Sequence, residues 1–406
     1  MLRTLKFSRY LEDYGWRVTV LTLRRDAYAV TDEKLETQIP QSVRVVRTGF
    51  LHTKTHLSVR GRYPAILAVP DAWIGWYLWA VSAGRKVCAE DRVDVVFSTS
   101  PPATAHVIAR TLARRANVPL VIDFRDPWHE DPPEPGTPAV VSWFAPRLER
   151  KVVTSAAHVV TSTAELRDLL RARYADQSEK FTAIANGYDE ADFAALPEHP
   201  TTRSGRMVVA HAGNINPEFR DPCPLLRAVA RAAARGKLDP SRLLFRFIGG
   251  GSYATSERLK RCIDETGLAS SVEFLPRVPY DEALRELGKA DLLLLLQASE
   301  DTTSLVPAKL YEYLRAMRPV LALVLPGATT EVLAQTGGGW IANPRNEAEL
   351  EGTIAEIFND WQSGSLGSRH ARVEALQQFD RRRLTGKLAA IFDDATRSRE
   401  TRAGRS

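Results

Sequence analysis

Apolar positions along the chain follow two periods that alternate. Leu2, Leu5, Phe7, Tyr10 and Leu11 recur at helical spacing with Arg3, Lys6 and Arg9 among them, so an amphipathic helix is predicted over 2–14. After Gly15 the run WRVTVLTL (16–23) is β-branched and reads as a parallel strand. Short buried strands follow at 43–50, 93–99, 120–124 and 158–163, separated by helical stretches such as 103–116 and 140–156. This alternation predicts parallel sheets with helices on both faces. A helix that feeds a parallel strand normally follows an earlier strand, because parallel strands are joined by crossovers. Only Met1 precedes the first helix, so the expectation is a further strand encoded upstream of it.

Residues 182–185 lead into the turn signal Asn186-Gly187-Tyr188-Asp189, and LPEHPTTRSGR (196–206) is polar and linker-like. The pattern restarts at Met207 with strands in MVVAHAGN, LLFRFIGGGS, VEFLPRV, ADLLLLL, PVLALVL and GGGWIANP. The predicted fold class is α/β, with two doubly wound Rossmann-like domains facing each other across a cleft. The boundaries are 1–195 and 207–375, joined by the 196–206 linker. A helix at 376–396 is expected to pack back on the first domain, and 397–406 to form a disordered charged tail. Ligands of such sheets bind outside the carboxyl ends of the strands. A cleft between two of them suits the joining of two substrates, one per domain.

Composition narrows this picture. Hydrophobic residues make up 44% and charged residues 26% of 406, and no run of about 18 apolar residues is present. No secretory signal is recognisable, since no apolar stretch follows the basic N-terminus. Cys88, Cys223 and Cys262 have no metal-ligand spacing and no obvious pairing, which predicts reduced, buried thiols. The net charge of +6 favours anionic partners. No basic stripe with interleaved aromatics lies on one element, so nucleic acid is not expected. Trp73, Trp76 and Trp79 recur at intervals of three between Tyr63 and Lys86. They form either a core stripe or an interfacial helix flanked by Arg60, Arg62, Arg85 and Lys86.

The most informative stretch is SLVPAKLYEYLRAMRPVLA, from Ser304 to Ala322. Pro307 suits the first turn of a helix, whose free amides can receive a diphosphate. Lys309 lies in that turn, and Glu312 is placed to accept hydrogen bonds from a ribose diol. On this helix alone, an amphipathic element with Leu310, Tyr313 and Leu314 as core and both charges solvated fits equally well. Three further loops end strands at the same edge: HAGNIN (211–216) running on to Arg220, FIGGGS (247–252), and FLPRVP (274–279). A glycine allows close backbone approach, and an arginine can pair bidentately with phosphate. In the first half, Asp123-Phe-Arg-Asp-Pro-Trp128 ends a strand and directs Arg125, Asp126 and Trp128 to the ligand edge. Asp126 is a candidate base for an acceptor hydroxyl, or a group that only caps and pairs with Arg125.

The order AHAGN…RDP, FIGGGS, VEFLPRVPYDEALRELGKADLLLLL and VPAKLYEYLRAMRPVLA…GGGWIANP resembles the donor domain of retaining family 4 glycosyltransferases of the GT-B fold. The bacterial O-antigen and capsule branch is the nearest in appearance, and STSPPATAHVIA, VPLVIDFRDPW and ANGYDEADF extend the resemblance into the first half. The resemblance implies that Glu312 holds the ribose and that Arg220 and Lys309 face the diphosphate. Gly213, Asn214, Gly250 and Gly251 would then line the donor loops, and the backbone at Val278 would meet the base. Ser304 stands where the family carries the first glutamate of a pair, with the amides of Leu305 and Val306 as substitutes. Arg125, Asp126, Trp128 and His106 become acceptor-site candidates, with a structural or surface role the other reading of His106, and Asp126, Arg220 and Lys309 the catalytic ones. No carboxylate pair is nominated by spacing for a double displacement, which suits front-face retention assisted by the leaving diphosphate. The family implies a strand and glycine-rich loop ahead of Met1, and no metal or other cofactor. The partners implied are a nucleotide-diphosphate sugar, with uridine the commonest base, and a glycan or polyprenyl-diphosphate-linked acceptor. The expected location is the cytoplasm, with peripheral contact at the inner face of the plasma membrane. A nucleotide-sugar 2-epimerase and a non-catalytic nucleotide binder are the competing functions.

Overall fold

The computed structural model describes residues 2–403 apart from 131, 134–135, 195, 197–204 and 299–302. Most of the expected linker therefore lies outside the described residues. The chain divides into one compact unit of 1–185 with 381–406 and a second of 186–380.

In the first unit, α1 (Leu2–Tyr10) continues as a 3-10 turn to Tyr14 and stops at Gly15. There φ is +82° and the glycine N–H returns to Glu12 and Leu11, a left-handed cap that suits glycine. Then follow β1 (Thr19–Leu23), β2 (Arg44–Thr48), α2 (Tyr77–Glu90), β3 (Val96–Ser100), α3 (Thr104–Ala116), β4 (Leu120–Phe124), α4 (Ala139–Ser155), β5 (His158–Thr161), α5 (Ala164–Arg173) and β6 (Phe181–Ala183). All pairings are parallel, but the strands form two separate sheets, β1-β2 and β3-β4-β5-β6. The C-terminal helix (Arg381–Ala403) joins α1 over Val121 and Val160, burying Phe7, Leu384, Leu388 and Phe392. On the other face Ile122, Phe124, Val152, Val153, Leu166 and Leu170 pack together.

Two charges that the helical pattern set among α1's apolar positions are inside. Arg3 is 3% exposed, donating from Nε and an Nη to both oxygens of Asp123 at 3.0 and 2.8 Å, and to the Ala185 carbonyl at 2.8 Å. Lys6 donates to Gln38 at 2.9 Å. The tryptophan stripe is not an interfacial helix. Asp71 accepts from the Trp73 amide and from both the amide and hydroxyl of Thr104, so a capped turn occupies this stretch and α2 begins only at Tyr77. Trp76 is buried with its indole donating to Thr48 at 2.7 Å, Trp73 packs on Phe50 and His52, and only Trp79 is exposed. The C-terminal helix runs through 397–403, where a disordered tail was expected; residues 404–406 lie outside the described set.

The second unit contains β7 (Met207–Ala212), α6 (Cys223–Ala234), β8 (Leu243–Ile248), α7 (Glu257–Thr266), β9 (Val272–Leu275), α8 (Tyr280–Gly288), β10 (Leu292–Gln297), α9 (Ala308–Arg315), β11 (Val320–Val324), α10 (Ala328–Thr336), β12 (Gly339–Ala342) and α11 (Glu347–Ser363). Its six parallel strands run in the order β12-β11-β10-β7-β8-β9. The order reverses beside β7, so the crevice outside the carboxyl ends of β7 and β10 is the expected ligand position. The leucine run of β10 is buried on both faces, as a central parallel strand requires. Gly339 cannot be replaced here, because a Cβ would overlap the Val320 carbonyl. Cys223 and Cys262 are joined in a disulfide, with Cα atoms 6.2 Å apart, which corrects the expectation of unpaired thiols. They are 39 residues apart in sequence, but α6 and α7 pack side by side. Cys88 is free.

Candidate active site

At the carboxyl end of β7 the backbone is drawn toward the neighbouring loops. The Gly213 amide donates to Ile248 at 2.9 Å and that of Ile215 to Gly250 at 3.0 Å, so the first two glycine loops are bonded to each other. Gly213 has φ of +109°, and a Cβ there would stand 3.0 Å from the Lys309 ammonium. Gly251, at φ +74°, leaves room for Asn214 in the same way.

Lys309 reaches back from the first turn of α9 and donates to the Ala212 carbonyl at 2.8 Å. Burial lowers its pKa to about 7, and the neighbouring charge of Arg220 adds to that effect. Arg220 ends a tight loop in which Asn216 Oδ1 accepts the amides of Phe219 and Arg220 at 3.0 and 3.2 Å. Its guanidinium lies over the Phe219 ring, and burial depresses its pKa also. Neither cation has a carboxylate ion-pair partner among the described residues. Two withdrawn cations thus lie within each other's field at a helix start, with the Glu312 carboxylate offsetting part of the effect on Lys309, an arrangement able to receive an anion.

Glu312 is buried to 8% exposure, and its Oε1 accepts from the Tyr280 hydroxyl at 2.9 Å. Tyr313 accepts the Ala212 amide on its hydroxyl at 2.9 Å, fixing α9 to the end of β7. Leu310 and Leu314 are core, and of the charges on α9 Lys309 and Glu312 lie toward β7 and Tyr280 while Arg315 pairs with Glu190. The turn 304–306 is held through the Leu305 carbonyl, which accepts from Gln297 Nε2 at 3.0 Å and Thr329 at 3.1 Å. Val306 is buried, while Ser304 and Leu305 are half-buried beside the α9 start. Val278 is half-buried on the segment leading to α8, and no bond ties it to the cation pair.

Tyr280, Gln297 and Thr329 were missed by sequence reasoning, and Tyr313 was read only as core. Gln297 had a signal: it is the one polar residue closing an apolar strand. His211 was quoted only as part of its loop. It is fully buried, bonded through Nδ1 to the Leu294 carbonyl at 2.9 Å, and held neutral by burial and Lys309.

The acceptor-side candidates lie in the first unit. Arg125 donates to the carbonyls of Ser100 and Pro101 at 2.8 and 3.0 Å and so braces the end of β3. Partial burial shifts the Asp126 carboxyl upward, against the pull of Arg125. His106 takes the structural one of its readings, as a core residue. It is fully buried, its Nδ1 lies 2.7 Å from the Ser98 hydroxyl, and its ring packs on Phe124, so it has no surface for an acceptor. Burial lowers its pKa to about 4, which keeps it neutral. Trp128 packs beside it, half-buried. Among the described residues no group of three or more His, Cys, Asp or Glu is placed to hold a metal ion, and no helix is long and apolar enough to cross a membrane.

Known proteins resemble this chain over both units. The family described as Glycosyl transferase 4-like domain matches residues 2–187, and Glycosyl transferases group 1 matches residues 206–360. A curated relative, the D-inositol 3-phosphate glycosyltransferase of Corynebacterium efficiens, is 26% identical over 260 residues. That match spans 61% of this chain and 59% of the relative's length. Among solved structures, Anabaena HepE in complex with UDP superposes with a TM-score of 0.67 at 17% identity, covering 97% of this chain and 95% of that one. A glycosyltransferase from Rickettsia africae gives 0.67 at 13% identity, covering 97% and 94%. With one family match on each unit and parallel α/β sheets in both, the chain belongs to the glycosyltransferases of the family 4 type, with the GT-B fold class.

Proposed function

We propose that this chain moves a sugar, with retention of configuration, from a UDP-linked donor to a glycan or polyprenyl-diphosphate-linked acceptor in cell-surface polysaccharide synthesis. The observation that carries the reading is the pair of withdrawn cations, Arg220 and Lys309, beside the start of α9. Such a pair stabilises charge that develops on a departing diphosphate, and it does so most strongly where water is partly excluded. Glu312, steadied by Tyr280, accepts the ribose hydroxyls, and Ser304 with the amides of Leu305 and Val306 contacts the sugar or its phosphate. Asp126 receives or orients the acceptor hydroxyl, with desolvation moving its carboxyl upward from the ordinary value. The cations take the place of a metal in this scheme, so transfer is proposed to be metal-independent. Uridine is supported by the UDP complex of HepE. Membrane-linked acceptors place the reaction at the inner face of the plasma membrane.

Calorimetry with UDP, GDP and ADP tests the donor half. UDP is expected to bind, and Glu312→Gln to weaken it by about tenfold to a hundredfold, the worth of a charge-assisted hydrogen bond. Absence of binding by all three nucleotides, or an unchanged affinity in the variant, removes the assignment. Ser304, where the resemblance implies a glutamate, favours a second reading as a binding-only member. Product formation from a UDP-sugar and a lipid-linked acceptor decides between the two.

A further inference from the structure

Asp126 stands on a loop whose flanks are both tied down while its own side chain is left unbonded. On the near flank Arg125 donates to the Ser100 and Pro101 carbonyls, and its own carbonyl accepts from the Ser162 hydroxyl at 2.7 Å. On the far flank Trp128 packs on the core layer that contains Phe124, with ring centroids 6.4 Å apart. His129 follows, and its Nε2 accepts from Arg173 Nη1 at 3.1 Å. Among the described residues Asp126 itself has no hydrogen bond or ion pair, only the field of Arg125.

The anchor behind His129 is a carboxylate for which the transfer scheme above has no use. Glu149, on α4, is fully buried. Its Oε1 accepts from the Tyr174 hydroxyl at 2.7 Å and from Arg173 Nη1 at 2.9 Å, and His129 Nε2 stands 3.5 Å away. Burial pushes the Glu149 carboxyl up, but His129, Arg173 and Tyr174 outweigh it and hold the group below its ordinary value, so it is charged at neutrality. One guanidinium nitrogen is thus shared between the carboxylate and the imidazole. A relay runs from Glu149 through Arg173 at the end of α5 to His129, on the same loop as Asp126. For stability alone this is a poor use of the core, since a buried ion pair gains little over apolar side chains of the same volume. What the relay does supply is a single fixed place for His129.

We infer that Glu149 is a positioning residue for the acceptor half of the reaction. Through Arg173 and His129 it fixes the backbone on which Asp126 stands, and with it the place of that carboxyl against an acceptor hydroxyl. A carboxylate with no bonds of its own is aimed only by the backbone that carries it. The inference rests on the reading of Asp126 as the group that meets the acceptor.

The test is steady-state transfer by the full chain, with UDP-glucose as donor and a polyprenyl-diphosphate-linked monosaccharide as acceptor. Glu149→Gln keeps the shape of the side chain and removes its charge, and His129→Ala cuts the relay at its less buried end. Each should lower kcat/KM for the acceptor by about tenfold to a hundredfold, the cost of a small misplacement, with donor KM and UDP affinity unchanged. In an Asp126→Asn background neither should add more than about twofold, because both act through that one carboxyl. His129→Gln, whose amide oxygen still accepts from Arg173, should recover much of the loss. A purely structural role would instead lower the melting temperature and add in full to Asp126→Asn. That additive result, or acceptor kinetics unchanged in folded variants, overturns the proposal; if Glu149→Gln does not fold, the two His129 variants decide it. A wild-type chain that transfers sugar to no such acceptor removes the transfer reading itself, an outcome distinct from active wild type with unaffected variants.

Discussion

Lys309→Met is expected to lower kcat/KM for sugar transfer by about a hundredfold to a thousandfold, the usual cost of one pre-aimed donor to developing negative charge. Methionine keeps the apolar stem that packs near Gly213, so the loss isolates the ammonium and its 2.8 Å tether to Ala212. Stability should hold or rise, because an unpaired charge leaves a half-buried position. The pH dependence gives a second readout. A lysine whose pKa is lowered to about 7 is charged below that pH and neutral above it. The diphosphate diester of a nucleotide sugar does not titrate near neutrality, so the donor KM should rise as pH climbs through 7 to 8. In Lys309→Met that slope should vanish. Wild-type-like kcat/KM in the variant would show that Lys309 does not face the leaving group.

Arg3→Ala is expected to destabilise the first unit by about 3–5 kcal/mol, read as a shift in the urea midpoint. Asp123 is fully buried in β4, and Arg3 supplies its two-pronged partner, with Thr99 adding one bond at 2.8 Å. Removing the guanidinium strands a carboxylate in the core and also releases the Ala185 carbonyl. Replacing both partners by apolar residues, Arg3→Met with Asp123→Leu, should recover much of the loss, since no lone charge then remains. A midpoint unmoved in Arg3→Ala would mean that Asp123 is solvated or protonated rather than paired.

The Arg3–Asp123 pair also marks where reading the sequence stops. Its partners are 120 residues apart, and nothing local to LRTLKF distinguishes an inward arginine from a solvated one. Runs such as LLLLLQ and VLALV were legible because a central parallel strand is apolar on both faces, leaving little ambiguity of type. The helix with Lys309 and Glu312 was legible for a related reason: Pro307 marks its start, and its core positions repeat at 3.6. The core reading of the tryptophan spacing holds for Trp76 and Trp73 but not for Trp79, because a capped 3-10 turn before Tyr77 breaks the period that would have put the three indoles on one face. His106 followed a strand-end motif, but Ser98 and Phe124, which enclose it, come from two different strands. The tie between Tyr280 and Glu312 and the Cys223–Cys262 bond are likewise products of packing between elements distant in the chain.

The division of the first unit's strands into two ladders governs how that unit opens. Residues 120–124 have a paired neighbour on each side and lie inside the core, so their amides should be the last there to take up deuterium. No ladder joins β1 to β3, and β1 is largely half-exposed. Peptides covering 19–23 should therefore exchange by local fluctuation, orders of magnitude sooner than those covering 120–124, leaving the β1-β2 pair as the least protected layer of the unit.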